Sequence, residues 1–342
     1  MSTQPAHRPL RPSLGDHRFV ALLIALTINS IGSWASAIAL WGFAAYRFNA
    51  NATTVALLIV CWAAPPVFLG PVLGVVIDRF GPQRSLIVGY LGGMGAALGM
   101  AAANALPTLA IAAIASGVAT TLAAPAANAL PPRLVDADGL LAANSLLAGA
   151  RQAGQVLGPL TASATFALAG FRAAFLLDAA TYLVGVWAVA TLRCRPVPPS
   201  PRSPWANELA GGVLVVARHP VLRLIIGLGA GVSFTSGAFL VVEPLYARHV
   251  LERPPSQFAL FEAAAGAGAI AASLAVSRLR SPHLLEGVRP LALSAGGYGL
   301  TACIFIGTTW VPVAYVGVTL WGVTGAVFSV VAVTTMQQIV PA

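Results

Sequence analysis

Gly74-Val75-Val76-Ile77-Asp78-Arg79-Phe80-Gly81-Pro82-Gln83-Arg84 is the stretch on which the reading of this chain turns. It sets three charges and a glycine–proline pair between two long apolar runs, at about 54–77 and 85–103. Charge belongs at a water boundary, so the stretch reads as a tight turn joining two consecutive helices. Gly74 would let a neighbouring helix pack closely, and Gly81 tolerates a positive φ. Asp78 can accept hydrogen bonds from Arg side chains or from a helix N-terminus.

The composition around it makes those helices membrane spans. Of 342 residues, 58% are hydrophobic and 34 more are Gly, while only 8% are charged. A soluble protein carries roughly 25% charged residues to cover its surface, and this chain has no such supply. The polar, charge-rich composition of disordered chains is the reverse. The net charge is +9, and all 19 basic residues are Arg. They lie between apolar runs instead of clustering, which points to membrane topology and away from a nucleic-acid surface. Cys61, Cys194 and Cys303 are too few and scattered for a disulfide framework or a zinc site.

A spanning helix needs about 20 mostly apolar residues. Ten such runs occur, at about 19–43, 54–77, 85–103, 107–130, 141–168, 173–192, 222–243, 258–277, 288–306 and 311–333. One break is longer: residues 193–221 carry Pro196, Pro198, Pro199, Pro201 and Pro204, then Trp205 to Arg223, a stretch suited to a helix lying on the membrane. This divides the chain into a six-helix bundle at 1–192, a linker at 193–221 and a four-helix bundle at 222–342.

Arginine counts orient the chain. With a cytoplasmic N-terminus, the inner segments hold Arg8, Arg11, Arg18, Arg79, Arg84, Arg133, Arg193, Arg195, Arg202, Arg218, Arg223, Arg278, Arg280 and Arg289. The outer loops hold only Arg47, Arg172, Arg248 and Arg253. Both termini are therefore expected in the cytoplasm of a multi-pass cell-membrane protein. Ala35-Ser36-Ala37 imitates a signal-peptidase site, but the apolar run continues well past it. Asn51-Ala52-Thr53 matches a glycosylation sequon, a pattern short enough to arise by chance.

The two sides of the linker match faintly at an offset near 200: Tyr46-Arg47 against Tyr246-Ala247-Arg248, and Asp78-Arg79 against Ser277-Arg278. Six spans return a chain to its starting side, so such repeats are parallel, as in transporters built of two bundles. Gly74 to Arg84 resembles the loop signature of the major facilitator superfamily, G-x-x-x-D-[RK]-x-G-x-[RK]-[RK], with Pro82 departing from it. Gly154-Gln155-Val156-Leu157-Gly158-Pro159-Leu160-Thr161-Ala162 is similar to that superfamily's G-x-x-x-G-P-x-x-G signature, with Ala162 for the last Gly. The order of Pro125 to Val135, Ala143-Asn144-Ser145, Arg218-His219-Pro220 and Pro244-Leu245-Tyr246 resembles the enterobactin-exporter-like and macrolide-efflux-like branch.

The resemblance implies an all-α membrane fold of two pseudo-symmetric bundles, here six plus four helices, working by alternating access. It makes Gly74, Asp78, Arg79, Gly81 and Arg84 a conformational-switch loop, and Gly154, Gly158 and Pro159 an antiporter-type motif. Glycines four apart also let helices approach closely, and Pro159 removes a backbone bond, so a pure packing role is the rival account. The superfamily usually has twelve helices. Gln337-Gln338-Ile339-Val340-Pro341 resembles the end of the tenth, so the chain reads as a fragment, expected to transport poorly alone.

Polar residues inside the spans are the candidates for substrate and coupling. Arg151 lies some ten residues into its span, roughly 15 Å deep, where an Arg costs about 2.5–3.5 kcal/mol. It is read as binding an anionic group or pairing with an acid, with Gln155 one turn on. Asn29, Ser33 and Ser36 share one helical face, as do Ser116 and Thr120, Ser233 and Ser236, and Trp321, Thr324 and Phe328. By the resemblance these four helices line the substrate cavity, although Ser and Thr also hold helices together. Asp178, Glu243 and Glu262 lie within about two turns of the outer edge. Glu262 is the coupling candidate, since loss of water disfavours a carboxylate's charge, and Glu243 before Pro244 reads as a helix end. No Arg lies in 107–130, where drug–proton antiporters of the superfamily often carry one.

Few charges and small polar and aromatic groups suit an amphipathic drug-like or siderophore-like molecule better than a sugar. The expectation is a secondary active exporter with a proton as implied coupling partner, monomeric, in lipid, with no cofactor, metal or nucleic acid. Uptake by the same fold is the first alternative, then a channel, receptor or membrane enzyme. No H-E-x-x-H, G-x-S-x-G or Lys-containing phosphate loop is present in the sequence, so the chain has no motif for those hydrolytic chemistries or for its own ATP hydrolysis.

Overall fold

The protein is described by a computed structural model at residues 17–135, 139–192, 219–278 and 287–339. Regular structure among these residues is helical. The first unit, Met1–Pro199, contains α1 (His17–Gly42), continued by a π-helical turn Phe43–Arg47, then α2 (Ala52–Phe80), α3 (Pro82–Ala102) and α4 (Leu106–Asn128). A single turn Pro131–Leu134 leads to α5 (Leu140–Leu168) and α6 (Phe171–Ala190). The second unit, Ser200–Ala342, contains α7 (Pro220–His249), α8 (Pro255–Ser277), α9 (Val288–Ile306) and α10 (Val311–Ile339). Most of the expected linker lies outside the described residues, including its surface helix as far as Arg218 and Cys194, as do Arg8, Arg11 and Arg280.

Ten long helices thus stand where ten spans are read from sequence, but eight of them combine the length and hydropathy to cross a membrane. The other two are α5, which carries Arg151, Gln152 and Gln155, and α9, only 19 residues long with Arg289 in its first turn. Helix α7 runs through Pro244 to His249, beyond the end expected at 243. The sequon residue Asn51 caps α2, its side chain accepting from the Thr54 amide at 2.9 Å, a normal N-cap bond.

Lipid offers no hydrophobic drive to bring apolar helices together, so close packing at small residues does that work. In unit 1, Tyr90 of α3 lies over Gly185 of α6, and Tyr182 of α6 lies over Gly93 of α3. A Cβ on Gly185 would come within 2.6 Å of the Tyr90 ring, and one on Gly93 within 2.5 Å of Tyr182. The exchange makes two knobs and two holes at one interface. Pro66 leaves the Trp62 carbonyl of α2 without its in-helix donor, and Gly117 of α4 presses against that oxygen with no room for a side chain.

Unit 2 repeats the device. Gly322 of α10 lies on the Ala265 carbonyl of α8, and Gly268 of α8 lies on the Thr319 carbonyl of α10. The pair Gly322–Ala265 stands near the 200-residue offset from Gly117–Trp62, so second and fourth helices meet the same way in both halves. On α9, Phe305 joins Phe239, Tyr246 and Phe261 at centroid distances of 5.1 to 5.3 Å, forming the aromatic centre of the unit. The α2 residues Leu57, Val60, Val67, Phe68 and Val75 are exposed, a large apolar surface suited to lipid.

Gly185→Leu should push Tyr90 from its hole and lower the melting stability of the detergent-solubilised protein, at a cost of about 1–3 kcal/mol. Gly95→Leu is the control, because nothing lies within 4 Å of a Cβ there and the melting curve should not move. Equal curves for both variants would contradict the packing account.

Candidate functional site

The turn between α2 and α3 is built by backbone geometry. Gly81 ends α2 at φ 85° and accepts no strain there, since it lacks a Cβ. Pro82 then opens α3, where its missing N–H is no loss. Arg79 lies 5.9 Å from the Phe80 ring, while Asp78 and Arg84 are exposed. Gly74 differs from expectation: nothing lies within 4 Å of a Cβ placed on it, so no described helix uses it for close packing. The residue that ties the turn down is Gln83. Its amide donates to the carbonyls of Val189 at 2.9 Å and Leu192 at 2.7 Å, closing the end of α6, where helix carbonyls lack partners.

The Gly154–Gly158 motif of α5 faces α1. Gly154 sits against Ser30, and Gly158 against Trp34, with the Ile31 carbonyl 3.1 Å from a Cβ at 158. The Ser30 hydroxyl donates to the Arg151 carbonyl at 3.3 Å. Pro159 is buried within the helix. The packing account of this motif therefore has direct geometric content.

Among the described residues Arg151 pairs with no acid. Its guanidinium donates to the Asn128 side chain at the last residue of α4. A long side chain on a helix points back toward that helix's N-terminus, and α5 starts at the membrane side where α4 ends. Arg151 thus reaches toward that boundary, as long basic side chains do, and meets the negative end of the α4 dipole. Gln155, one turn on, is exposed.

The polar face of α1 meets α6. Ser33 donates toward Asp178 at 3.3 Å and lies 3.2 Å from the Tyr182 hydroxyl, and buried Ser36 also bonds Asp178. Asn29 leaves its buried amide nitrogen without a partner among the described residues. On α4, Thr120 donates to the Ser116 carbonyl of its own helix at 2.9 Å.

Unit 2 brings together groups that look unrelated in the sequence. The Ser236 and Tyr298 hydroxyls are 2.6 Å apart, and Ser233 is exposed. Trp321 stacks on Phe239 at 4.3 Å and lies 4.9 Å from Tyr298, and its ring nitrogen has no partner among the described residues. Thr324 meets Thr301 at 3.3 Å. Phe328 is 8% exposed and packs with Leu222, Ile225, Leu291 and Val331.

Glu243 is a correction. It lies inside α7, not at its end, and is fully buried. Its carboxyl stands within interaction range of the Glu262 carboxyl of α8. Among the described residues no other group hydrogen-bonds either Glu243 oxygen or Glu262 Oε1, and no basic group acts on the pair. Sequence reasoning missed the pairing because 19 residues and a turn separate the two. Among the described residues no cluster of three or more His, Cys, Asp or Glu could hold a metal.

A sequence profile described as the Major Facilitator Superfamily matches residues 22–342. The "Uncharacterized MFS-type transporter YfiS" of Bacillus subtilis (strain 168) is 33% identical over 73 residues, 21% of this chain and 18% of that protein. The chain thus aligns with less than a fifth of the length of that curated relative. Among solved structures, a variant of the nucleoside transporter NupG is similar with a TM-score of 0.73 at 13% identity, covering 95% of this chain and 84% of that one. A bacterial homologue of the human lysosomal transporter Spinster, in an inward-facing and unoccupied conformation, gives 0.72 at 13% identity, with coverage of 94% and 75%. A variant of the peptide transporter POT gives 0.72 at 15% identity, with coverage of 95% and 82%. At such identities the likeness shows the fold alone.

Removing the Arg151 side chain by Arg151→Ala, or its acceptor by Asn128→Ala, should each lower melting stability, and the double variant should lose less than the sum. The expected coupling is about 0.6 kcal/mol and at most roughly 1.7, the range for hydrogen bonds between membrane helices. Strict additivity would separate the two residues.

Proposed function

Because the chain belongs to the Major Facilitator Superfamily, we propose that it is a secondary active transporter which exports a small amphipathic molecule by alternating access. The Glu243–Glu262 pair carries the reading of the driving force. Two facing acids with no basic partner bind one proton or two according to how much water reaches them. A protein that alternately exposes and buries such a pair can trade a proton for its cargo. Glu262 is the member on the surface side, half-buried where Glu243 is fully buried, and it is the coupling residue.

Export over uptake is supported by the Gly154–Gly158–Pro159 motif and by the resemblance to the enterobactin-exporter-like and macrolide-efflux-like branch. The aromatic and hydroxyl groups of unit 2, above all Trp321, Phe239, Tyr298 and Ser236, suit a drug-like or siderophore-like molecule with an apolar body and a few polar points. The protein acts as a carrier and not as an enzyme, works as a monomer, and holds both termini in the cytoplasm of the cell membrane by its arginine distribution.

The test is growth of a susceptible, export-deficient strain over a compound panel, with and without the protein. Expression should raise the tolerated concentration of at least one amphipathic compound, and Glu262→Gln at equal membrane abundance should abolish the gain. Sensitisation in place of tolerance would establish uptake, and full tolerance with Glu262→Gln would remove Glu262 from coupling.

A further inference from the structure

In unit 2, both carboxyl oxygens of Glu243, Oε1 of Glu262 and the ring nitrogen of Trp321 are buried without a hydrogen-bond partner among the described residues. Buried polar groups are otherwise almost always bonded, and these orphans gather in one place. Ser236, Phe239 and Glu243 follow at i, i+3 and i+7 along one face of α7. Glu243 meets Glu262 of α8, whose charge also acts on Tyr298 of α9. The Tyr298 ring lies 4.9 Å from Trp321 of α10, and Trp321 stacks on Phe239 at 4.3 Å. The constellation therefore draws on α7, α8, α9 and α10 together.

We infer that it is a binding site for a protonated amine borne on an aromatic or apolar body, which, resting on the carrier reading above, is the cargo. Charge sign is the first ground. Among the described residues no basic group acts on the two acids, so a negative ligand would be repelled. With one proton between its carboxyls the pair carries one negative charge, and one ammonium group neutralises it.

Hydrogen bonding is the second ground. Ionised carboxylate oxygens accept and do not donate, so the ligand has to bring N–H groups, which a quaternary ammonium lacks. The indole nitrogen of Trp321 only donates, so the same ligand carries an acceptor such as an ether or hydroxyl oxygen. The walls are the third ground. Cations are favoured beside aromatic rings, and Phe239, Tyr298 and Trp321 supply three. The Tyr298 hydroxyl is already engaged with Ser236 at 2.6 Å, which leaves its ring to the ligand.

Access fits the same arrangement. Glu243 is fully buried, whereas Glu262, Trp321 and Ser236 are half-buried, so the amine arrives on the Glu262 side with Glu243 behind. Of the two cargo types considered above, an amine-bearing drug meets these demands and an anionic siderophore does not.

The experiment is equilibrium binding of tritiated propranolol, an aromatic secondary amine with ether and hydroxyl oxygens, to the purified full chain in detergent at neutral pH. Binding should saturate. The neutral N-acetyl derivative and the quaternary N,N-dimethyl derivative should each compete at least roughly tenfold more weakly, a comparison that needs no variant to fold. Glu262→Gln should weaken propranolol binding by a similar factor. Trp321→Phe, which keeps an aromatic face, should weaken propranolol but not an amine of the same shape without oxygen. Absence of saturable binding, or equal competition by either derivative, would overturn the proposal. Tolerance to neutral compounds alone in the growth test would also overturn it while leaving the carrier reading standing. Saturable, N–H-dependent binding with tolerance to no compound would support the amine site and overturn the carrier reading.

Discussion

Close approach of backbones at glycine is the interaction on which the rest of this structure depends. Each helix satisfies most of its own backbone, as a membrane requires, but that leaves nothing to bind one apolar cylinder to the next. Contact area has to do it, and contact area needs small residues. Gly154 and Gly158 seat α5 on α1, Gly93 and Gly185 lock α3 to α6, Gly117 seats α4 on α2, and Gly322 and Gly268 do the same for α10 and α8. These glycines are the packing points, whereas others such as Gly74 and Gly95 face no described neighbour.

With helices fixed that way, the few polar links gain meaning from their scarcity. Gln83 closes the carbonyl end of α6, and Arg151 bonds the Asn128 side chain at the end of α4. The acids are different. Asp178, Glu243 and Glu262 are held among apolar helices, and among the described residues no basic partner acts on them. Burying a charge without a counter-charge is costly; Asp178 is met by the hydroxyls of Ser33, Ser36 and Thr181, while Glu243 and Glu262 face each other.

Much of the fold is legible in the sequence. Ten apolar runs locate ten helices, the turn at Gly81 follows from a glycine where the chain reverses, and the offset near 200 has its physical counterpart in Gly117 and Gly322. What resists reading is the rotation of each helix about its axis. These helices are apolar nearly all round, so periodicity does not say which face turns inward. Phe328 goes to the core for that reason, and Gly74 faces no described neighbour. Glu243 is misplaced because Pro244 usually marks a boundary, whereas a membrane helix can run through a proline when its surroundings absorb the lost bond. The partnership of Glu243 with Glu262, like that of Arg151 with Asn128, exists only once helices are assembled.

The most direct measurement of the central claim is counterflow in proteoliposomes containing the protein, using a radiolabelled compound to which expression confers tolerance. A carrier that alternates between two faces should accelerate uptake of the label when unlabelled compound is loaded inside, and the rate should saturate with concentration. A flux that rises linearly with concentration and ignores the internal compound would contradict the account.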